Sequence, residues 1–382
     1  MIKEIALLSP IYVTLFWSIV LIIQVGQTDI AKRHLGFFMI LANLLYICHA
    51  IFFSNLYHLY SSVEFVYVFT MLAVYPMYYI YLKILISNKF EIKKFIYHLI
   101  PALIFGSIVG ITTLMMLPEG KVNYVKEVLV EKNLKGLDLG TFLGIKGFIF
   151  LLSRIFLLVQ VIYYAIRGIL LANKHNERIV NYYSSTEGKT LKWVRIINIV
   201  FLIAAISSIT LVFLGRGFFA QHEISLIIPS AVFSTLLFII GYKGNHQVIV
   251  NSEFNDKIII GENDGMENIL INRLKPELIQ LFTRKKIYTH PDLRITHISE
   301  QLKTNRTYIS RMINEEFKMN FNEFVNQYRV EEAKAILKNP KYRFSTLEEV
   351  AEISGFGSLN SFSRIFKEMT GKTPGKYRDQ IN

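Results

Sequence analysis

Two stretches near the end of the chain carry a similar pair of polar residues at the same spacing. In RTYISRMINEEF, Thr307 lies four residues before Arg311, and in SLNSFSRIFKEM, Asn360 lies four residues before Arg364. Residues four apart share one face of a helix. An arginine can bind O6 and N7 of guanine with two hydrogen bonds, and an asparagine can do the same with N6 and N7 of adenine. The spacing therefore predicts two helix faces with the chemistry to read base edges.

Each of these helices needs a partner helix to position it, and the sequence provides one upstream in both cases. Short apolar stripes precede the two stretches, followed by further apolar residues on the inward faces of the stretches themselves. The stripe residues are Ile295, Ile298, Leu302, Ile309, Met312, Ile313 and Phe317 in the first unit, and Leu347, Val350, Ala351, Phe362, Ile365 and Phe366 in the second. We predict two helix-turn-helix units, at about 295–317 and 346–369.

The signals at the turns differ between the units. Gly355 supplies the second turn, where a bulkier residue is disfavoured. The first turn uses Lys303-Thr304-Asn305 and has no glycine. Ser345 and Glu348 fit a capping box at the start of the second unit. Between the units, residues 321–338 form an amphipathic helix of about 27 Å, a length suited to placing two helices in successive major grooves, which recur every ~34–36 Å.

The stretches ISEQLKTNRTYISRMINEEF, YRVEEAKAIL and VAEISGFGSLNSFSRIFKEMTGKTPGKYR resemble the DNA-binding domain of AraC/XylS-family bacterial transcription regulators. The resemblance covers residues about 270–380. It implies two DNA-contacting helix-turn-helix units joined by a linker helix. The base-facing positions that it implies are Thr307, Ser310 and Arg311 in the first unit, and Asn360, Ser363 and Arg364 in the second. Lys367, nearer the end of its helix, is expected to contact phosphate. Asn320 stands where the family often has glycine, and we expect it to tolerate left-handed geometry.

The N-terminal part of the chain has a different composition. Residues 1–241 hold 20 Lys and Arg with 11 Asp and Glu. The shorter remainder, 242–382, holds 22 Lys and Arg with 18 Asp and Glu and is therefore more densely charged. Seven apolar runs are each long enough to cross the ~30 Å hydrocarbon core of a membrane as a helix. They lie near 5–25, 35–55, 63–86, 95–117, 145–171, 194–214 and 224–241. The predicted fold is therefore all-α, with a seven-helix transmembrane bundle (1–241), a connector (242–266) with short extended pieces, and a DNA-binding domain (267–382).

Basic residues in the loops predict the orientation. The loops after the first, third and fifth helices carry nine Lys and Arg, and the opposite side carries six. We therefore expect the N-terminus outside the inner (plasma) membrane and residues 242–382 in the cytoplasm. The outer side exposes only short loops, apart from 118–144, which we interpret as extended or partly helical.

Arg154 is the most informative polar residue within the predicted spans. It lies well inside the fifth apolar run, where an uncompensated charge costs several kcal/mol. Arg154 is therefore expected to face the interior of the bundle. Two interpretations stay open: a residue that binds or transmits a signal, or a structural anchor bonded to carbonyls or to Glu64, or extended outward to the membrane surface.

Taken together, these features favour a membrane-bound transcription regulator that is not an enzyme. Neither a metal site nor a cofactor is expected, and we expect Cys48 to be a buried small apolar residue. The expected partners are double-stranded DNA, the lipid bilayer, an unidentified signal and, if the protein is an activator, RNA polymerase; a homodimer is left open. The alternatives are a transporter or membrane enzyme that carries a regulatory helix-turn-helix module, and a passive membrane tether on a constitutive factor.

Overall fold

The computed structural model describes residues 2–23, 29–87, 91–131, 140–214, 223–248, 250 and 264–381. The chain divides into two compact units. The first contains Met1–Asn173 and Leu191–Ser252, and the second contains Lys174–Thr190 and Glu253–Asn382. Secondary structure in the described residues is helical, apart from one isolated antiparallel bridge between Tyr183 and Arg294. The predicted all-α fold class is confirmed.

Long helices make up the first unit. In chain order they are α1 (Ile2–Ile23), α2 (Ile30–Phe53), α3 (Tyr57–Ser87), α4 (Ile92–Met115), α5 (Pro118–Asn123), a π-helical turn (Tyr124–Val130), α6 (Phe142–Tyr182), α7 (Lys192–Leu214) and α8 (Glu223–His246). Helix α6 has 41 residues, and its last nine belong to the second unit.

Six of these helices are long and apolar enough to cross a membrane: α1, α2, α3, α6 and the segments Phe95–Met115 of α4 and Leu226–His246 of α8. The seventh predicted run, 194–214, coincides with α7, a helix of 23 residues that is not among the six. The predicted count of seven spans therefore stays a prediction. The segment 118–130 is helical, which fits the partly helical alternative for 118–144, while 132–139 lies outside the described residues.

The first unit buries one large apolar cluster between its helices. Helix α1 packs against α2 and α8, and α3 packs against α2 and α4. Cys48 is among the buried residues of this cluster, as expected. Large apolar side chains also face outward, for example Phe16 on α1 and Leu114 on α4. A helix that is apolar on both its inner and outer sides is typical of a span through hydrocarbon.

The second unit consists of shorter helices. They are α9 (Asp264–Thr283), a 3₁₀ turn (Ile287–Thr289), α10 (Ile295–Gln301), α11 (Arg306–Glu316), α12 (Phe321–Lys338), a second 3₁₀ turn (Pro340–Tyr342), α13 (Leu347–Ile353), α14 (Leu359–Thr370) and α15 (Pro374–Asp379). Most of the predicted connector, 249 and 251–263, lies outside the described residues; Gln247, Val248 and Val250 have no regular structure.

Helix α12 is shared between the two halves of this unit. It packs against the first 3₁₀ turn and α11, which precede it in the chain, and against α13 and α14, which follow it. Phe324 of α12 contacts Phe282 and Phe317, while Val330, Ala333 and Ile336 join a second buried cluster with Phe362 and Phe366. Full burial of one such side chain stabilises the fold by ~1.5–3 kcal/mol. Helix α12 therefore holds both helix-turn-helix units in place, as a linker helix must.

Candidate nucleic-acid interface

The two helix-turn-helix units, α10–α11 and α13–α14, turn in the same way. After α10, the Lys303 amide donates to the Glu300 carbonyl at 3.2 Å and the Thr304 amide donates to the Ser299 carbonyl at 2.9 Å. After α13, Gly355 donates to Glu352 at 2.9 Å and Phe356 donates to Ala351 at 2.8 Å. This pair of bonds defines a Schellman motif, which needs a left-handed residue just after the helix.

Lys303 and Gly355 occupy that left-handed position, with φ of 49° and 90°. The glycine is required in the second unit for a further reason. A Cβ atom on Gly355 would lie 2.6 Å from the Thr289 Cα atom and would also collide with the Tyr288 carbonyl oxygen. The second turn therefore needs glycine for both its backbone conformation and its packing.

We call α11 and α14, the second helices of the two units, the recognition helices. Side-chain caps fix where each of them begins. The Asn305 Oδ1 atom accepts from the Thr307 amide at 2.9 Å at the start of α11. Ser358 accepts from the Ser361 amide at 3.1 Å at the start of α14. The N-terminal end of each recognition helix is thus tied to the turn that precedes it.

The predicted capping box at the start of α13 was wrong by one residue. The box consists of Thr346 and Glu349, with mutual side-chain to backbone bonds of 3.1 and 2.8 Å. Both Ser345-x-x-Glu348 and Thr346-x-x-Glu349 fit the sequence signature. The second pair is selected because α13 begins at Leu347.

The faces of α11 and α14 are arranged as the spacing predicts. Their apolar residues Ile309, Met312, Ile313, Phe362, Ile365 and Phe366 are buried. Thr307 and Arg311 are exposed on α11, and Asn360, Arg364 and Lys367 are exposed on α14. Ser310 and Ser363 are half-buried beside them. Each recognition helix therefore brings its own predicted residues together on an exposed surface.

Both exposed arginines are paired with an acid one turn further along the same helix. The Arg311 Nε atom lies 2.7 Å from the Glu315 carboxylate, and the Arg364 Nη1 atom lies 3.5 Å from the Glu368 carboxylate. Sequence reasoning missed these acids, although the four-residue spacing that allows such pairs was visible in both stretches. All four side chains are well exposed, so each pair adds at most ~0.5 kcal/mol to stability.

Asn320 has a different role from the one predicted. Its φ is −80°, and it caps α12 through a box with Glu323, with bonds of 3.0 and 2.9 Å. The left-handed residue in this loop is Lys318, with φ of 56°. Asparagine is favoured at Asn320 because its side chain caps a helix, and tolerance of left-handed geometry is not needed there.

Arg329 on α12 is fully buried and bonds mainly to backbone. Its guanidinium donates to the carbonyl oxygens of Tyr288 at 2.8 Å and His290 at 2.7 Å, and to the Ser184 hydroxyl at 3.1 Å. Burial lowers its pKa to about 10, an effect that Asp292 partly offsets, so the side chain is still charged at neutral pH. Arg329 thereby fixes the Tyr288–His290 segment against which Gly355 packs.

Arg154 lies in the first unit, apart from these residues along the chain, and is buried as predicted. Its Nη2 atom donates to the Tyr67 hydroxyl at 2.7 Å, its Nη1 atom contacts the Met71 sulfur, and the guanidinium faces the rings of Tyr67 and Phe150. The predicted alternative of a bond to Glu64 was wrong. Glu64 instead pairs with Lys146 at 2.7 Å; both side chains are buried, and a buried carboxylate left without an opposite charge is strongly destabilising.

Comparisons with known proteins identify the C-terminal region. A family described as a helix-turn-helix domain, of the AraC type, matches residues 298–380. An uncharacterised HTH-type transcriptional regulator of Staphylococcus aureus (strain COL) is 33% identical over 93 residues, which are 24% of this chain and 12% of that protein. The Msm operon regulatory protein of Streptococcus mutans is 29% identical over 89 residues, which are 23% of this chain and 31% of that protein.

A solved structure is also similar to part of this chain. The C-terminal domain of AraT, a response regulator from Geobacillus stearothermophilus, is 29% identical and covers 29% of this chain and 84% of its own, with a TM-score of 0.24. The chain spans less than a third of the length of the two curated relatives. The resemblance drawn from the sequence motifs is confirmed for the C-terminal region, which carries an AraC-type helix-turn-helix domain.

Proposed function

Starting from an AraC-type helix-turn-helix domain at residues 298–380, we propose that this chain is a membrane-bound, one-component transcription regulator. It binds specific double-stranded DNA through both helix-turn-helix units. The observation that carries the proposal is the repeated geometry of α11 and α14. Each helix follows the same Schellman turn and exposes an arginine one turn beyond a polar residue. A helical hairpin with a purely structural role has no need for that repeated polar face.

The exposed residues divide into two chemical roles. Arg311 and Arg364 bind guanine edges, and Asn360 binds adenine, while Thr307, Ser310 and Ser363 contact bases or sugars beside them. Lys367 contacts phosphate, which positions the protein without reading sequence. Residues 272–382 hold 20 Lys and Arg against 13 Asp and Glu, a balance that favours binding to a polyanion.

The first unit anchors the protein in the inner (plasma) membrane and responds to a signal. Six helices long enough to span hydrocarbon support the anchor, and the nine-to-six distribution of basic residues supports a cytoplasmic C-terminus. Arg154 supports the sensing role. Its Nε atom has no hydrogen-bond partner among the described residues, and hydroxyl, sulfur and ring groups surround the rest of the guanidinium. A buried charge held in this way is suited to respond to an anionic group.

A selection experiment tests the DNA-binding part of this proposal. The full chain, purified into lipid nanodiscs, is incubated with a pool of randomised duplexes, and the bound fraction is sequenced. Two helix-turn-helix units predict an enriched motif with two half-sites about one helical turn, ~10 base pairs, apart. A pool that stays unenriched after several rounds contradicts sequence-specific binding. A motif with a single half-site contradicts the use of both units.

A further inference from the structure

A short segment at the end of α6 forms part of the C-terminal unit. Residues Tyr182–Glu187 continue from the last residue of that helix, and the unit includes them within Lys174–Thr190. Tyr183 forms an antiparallel bridge with Arg294, and the Ser184 amide donates to the Leu293 carbonyl at 3.0 Å. We call Tyr182–Glu187 the docking segment. Its backbone pairs with the residues immediately before α10.

The linker helix α12 anchors the centre of the docking segment. Ser184 is buried, its hydroxyl accepts from Arg329 at 3.1 Å, and its carbonyl oxygen accepts from the Asn322 side chain at 2.6 Å. These bonds link one serine to two positions on α12, seven residues apart. Leaving a buried polar group unpaired costs free energy, so these bonds hold the segment in this position.

The two ends of the docking segment contact the starts of both recognition helices. The guanidinium of Arg306, the first residue of α11, lies 5.6 Å from the centre of the Tyr182 ring. The hydroxyl of Ser358, the N-cap of α14, donates to the Glu187 carboxylate at 2.7 Å. Both contacts involve the DNA-reading helices at their N-terminal ends.

We propose that the docking segment is an internal inhibitor of DNA binding, with Glu187 in the position that a DNA phosphate takes at the start of α14. The inference rests on the proposed function. The N-terminal end of a helix favours an anion, because its free amide groups and its dipole are positive there. Glu187 supplies that anion from within the chain. The Ser358 hydroxyl has one proton to donate, so it cannot donate to Glu187 and to a phosphate oxygen at once.

The negative charge of Glu187 also opposes DNA binding by electrostatic repulsion. A carboxylate at this end of α14 lies well within the ~8 Å screening length of any phosphate that approaches Ser358, so it repels the DNA backbone. The Tyr182 ring meanwhile contacts the guanidinium of Arg306, a cation at the corresponding end of α11.

The test measures DNA affinity of the full chain in nanodiscs, using a selected duplex and a duplex of unrelated sequence. Glu187→Gln removes the charge and keeps the shape. Glu177→Gln is the matched control, since Glu177 is an exposed acid of the same unit, on α6. We expect Glu187→Gln to lower the Kd about five- to tenfold on both duplexes, because phosphate contacts do not depend on sequence. We expect Glu177→Gln to stay within about twofold of wild type.

Three results overturn the inference in distinguishable ways. Equal Kd values for the two variants, with normal binding by wild type, overturn the inhibitory role of Glu187 and leave the proposed function intact. Weaker binding by Glu187→Gln shows that the segment supports DNA binding. Absence of binding by wild type and both variants overturns the inference together with the proposed function. Hydrogen exchange of α13 and α14 checks that each variant keeps its fold.

Discussion

The Arg311 guanidinium lies 2.7 Å from the carboxylate of Glu315, one turn further along the same recognition helix. In the second unit, Arg364 and Glu368 repeat this arrangement at 3.5 Å. An arginine paired with a carboxylate has fewer donors available for a guanine edge. If Arg311 and Arg364 read bases as proposed, each must exchange an acid within its own helix for DNA.

The first prediction concerns release of Arg311. Glu315→Gln should tighten DNA binding about threefold, since an exposed pair of this kind is worth ~0.3–0.5 kcal/mol and the lost negative charge also repelled phosphate. Glu368→Gln should act more weakly, because its pair is longer. Fluorescence anisotropy with a labelled duplex measures both variants. Equal effects of the two substitutions would show that general charge, and not arginine release, determines the gain.

A second prediction separates base reading from phosphate binding on α14. Arg364→Ala should cost ~1–3 kcal/mol on the selected duplex and relax preference at one or two base pairs. Lys367→Ala should weaken binding to all duplexes alike. It should also reduce the slope of log K against log salt concentration by about one. Binding to a duplex pool at two salt concentrations distinguishes them. If both variants lost affinity uniformly with unchanged base preference, Arg364 would not read bases.

The two left-handed glycines of the second helix-turn-helix unit give a third prediction. Gly371, after α14, has φ of 76° and open space around its Cα, whereas a Cβ on Gly355 would collide with the Tyr288–Thr289 backbone. Gly371→Ala should cost ~1–2 kcal/mol for backbone conformation alone. Gly355→Ala should add an overpacking cost of ~1–3 kcal/mol. Native-state hydrogen exchange of α13 and α14 measures the difference; similar costs at the two positions would contradict the packing role of Gly355.

Sequence periodicity predicted the parts of this domain that depend on neighbouring residues. The buried faces of α11 and α14 follow from helical spacing, and Gly355 was identified because few other residues adopt its conformation. The start of α13 was misplaced because Ser345 and Thr346 each have a glutamate three residues later. Local patterns fix a helix and its face, but competing caps are resolved only by packing.

The contacts of the docking segment could not be read from the sequence. Ser184 and Arg329 are 145 residues apart, and nothing in a polar stretch after an apolar run indicates a buried serine. Arg329 lies in the stretch 321–338, whose pattern predicts an amphipathic helix, and an arginine on such a helix is usually exposed. Only the tertiary arrangement, with backbone carbonyls from Tyr288 and His290 around the guanidinium, accounts for its burial.

The fourth prediction concerns Arg154. Arg154→Ala should change expression of target genes about fivefold or more while protein level and membrane insertion stay near wild type, as expected for a residue that couples a signal to the output. Arg178→Ala, an exposed arginine on the same helix, serves as the control. Reporter expression and membrane fractionation are measured in parallel. Loss of insertion or abundance in Arg154→Ala would identify it as a structural anchor instead.

A fifth prediction concerns orientation. The basic loops predict that a reporter fused after Asn382 is active only inside the cell, and that a reporter before Ile2 is active only outside. The two fusions control for each other, because an odd number of spans places them on opposite sides. An even number would give activity on the same side and would show that α7 is not a span. Activity outside at Asn382 would exclude access to the chromosome.

Genome-wide mapping of the DNA bound by the full-length protein in living cells tests the central claim most directly. Wild type should occupy a limited set of discrete sites that share a motif with two half-sites about one helical turn apart. The double variant Arg311→Ala with Arg364→Ala should lose those sites while still inserted in the membrane at normal abundance. Uniform background signal for wild type, or unchanged sites in the double variant, would contradict sequence-specific regulation through α11 and α14.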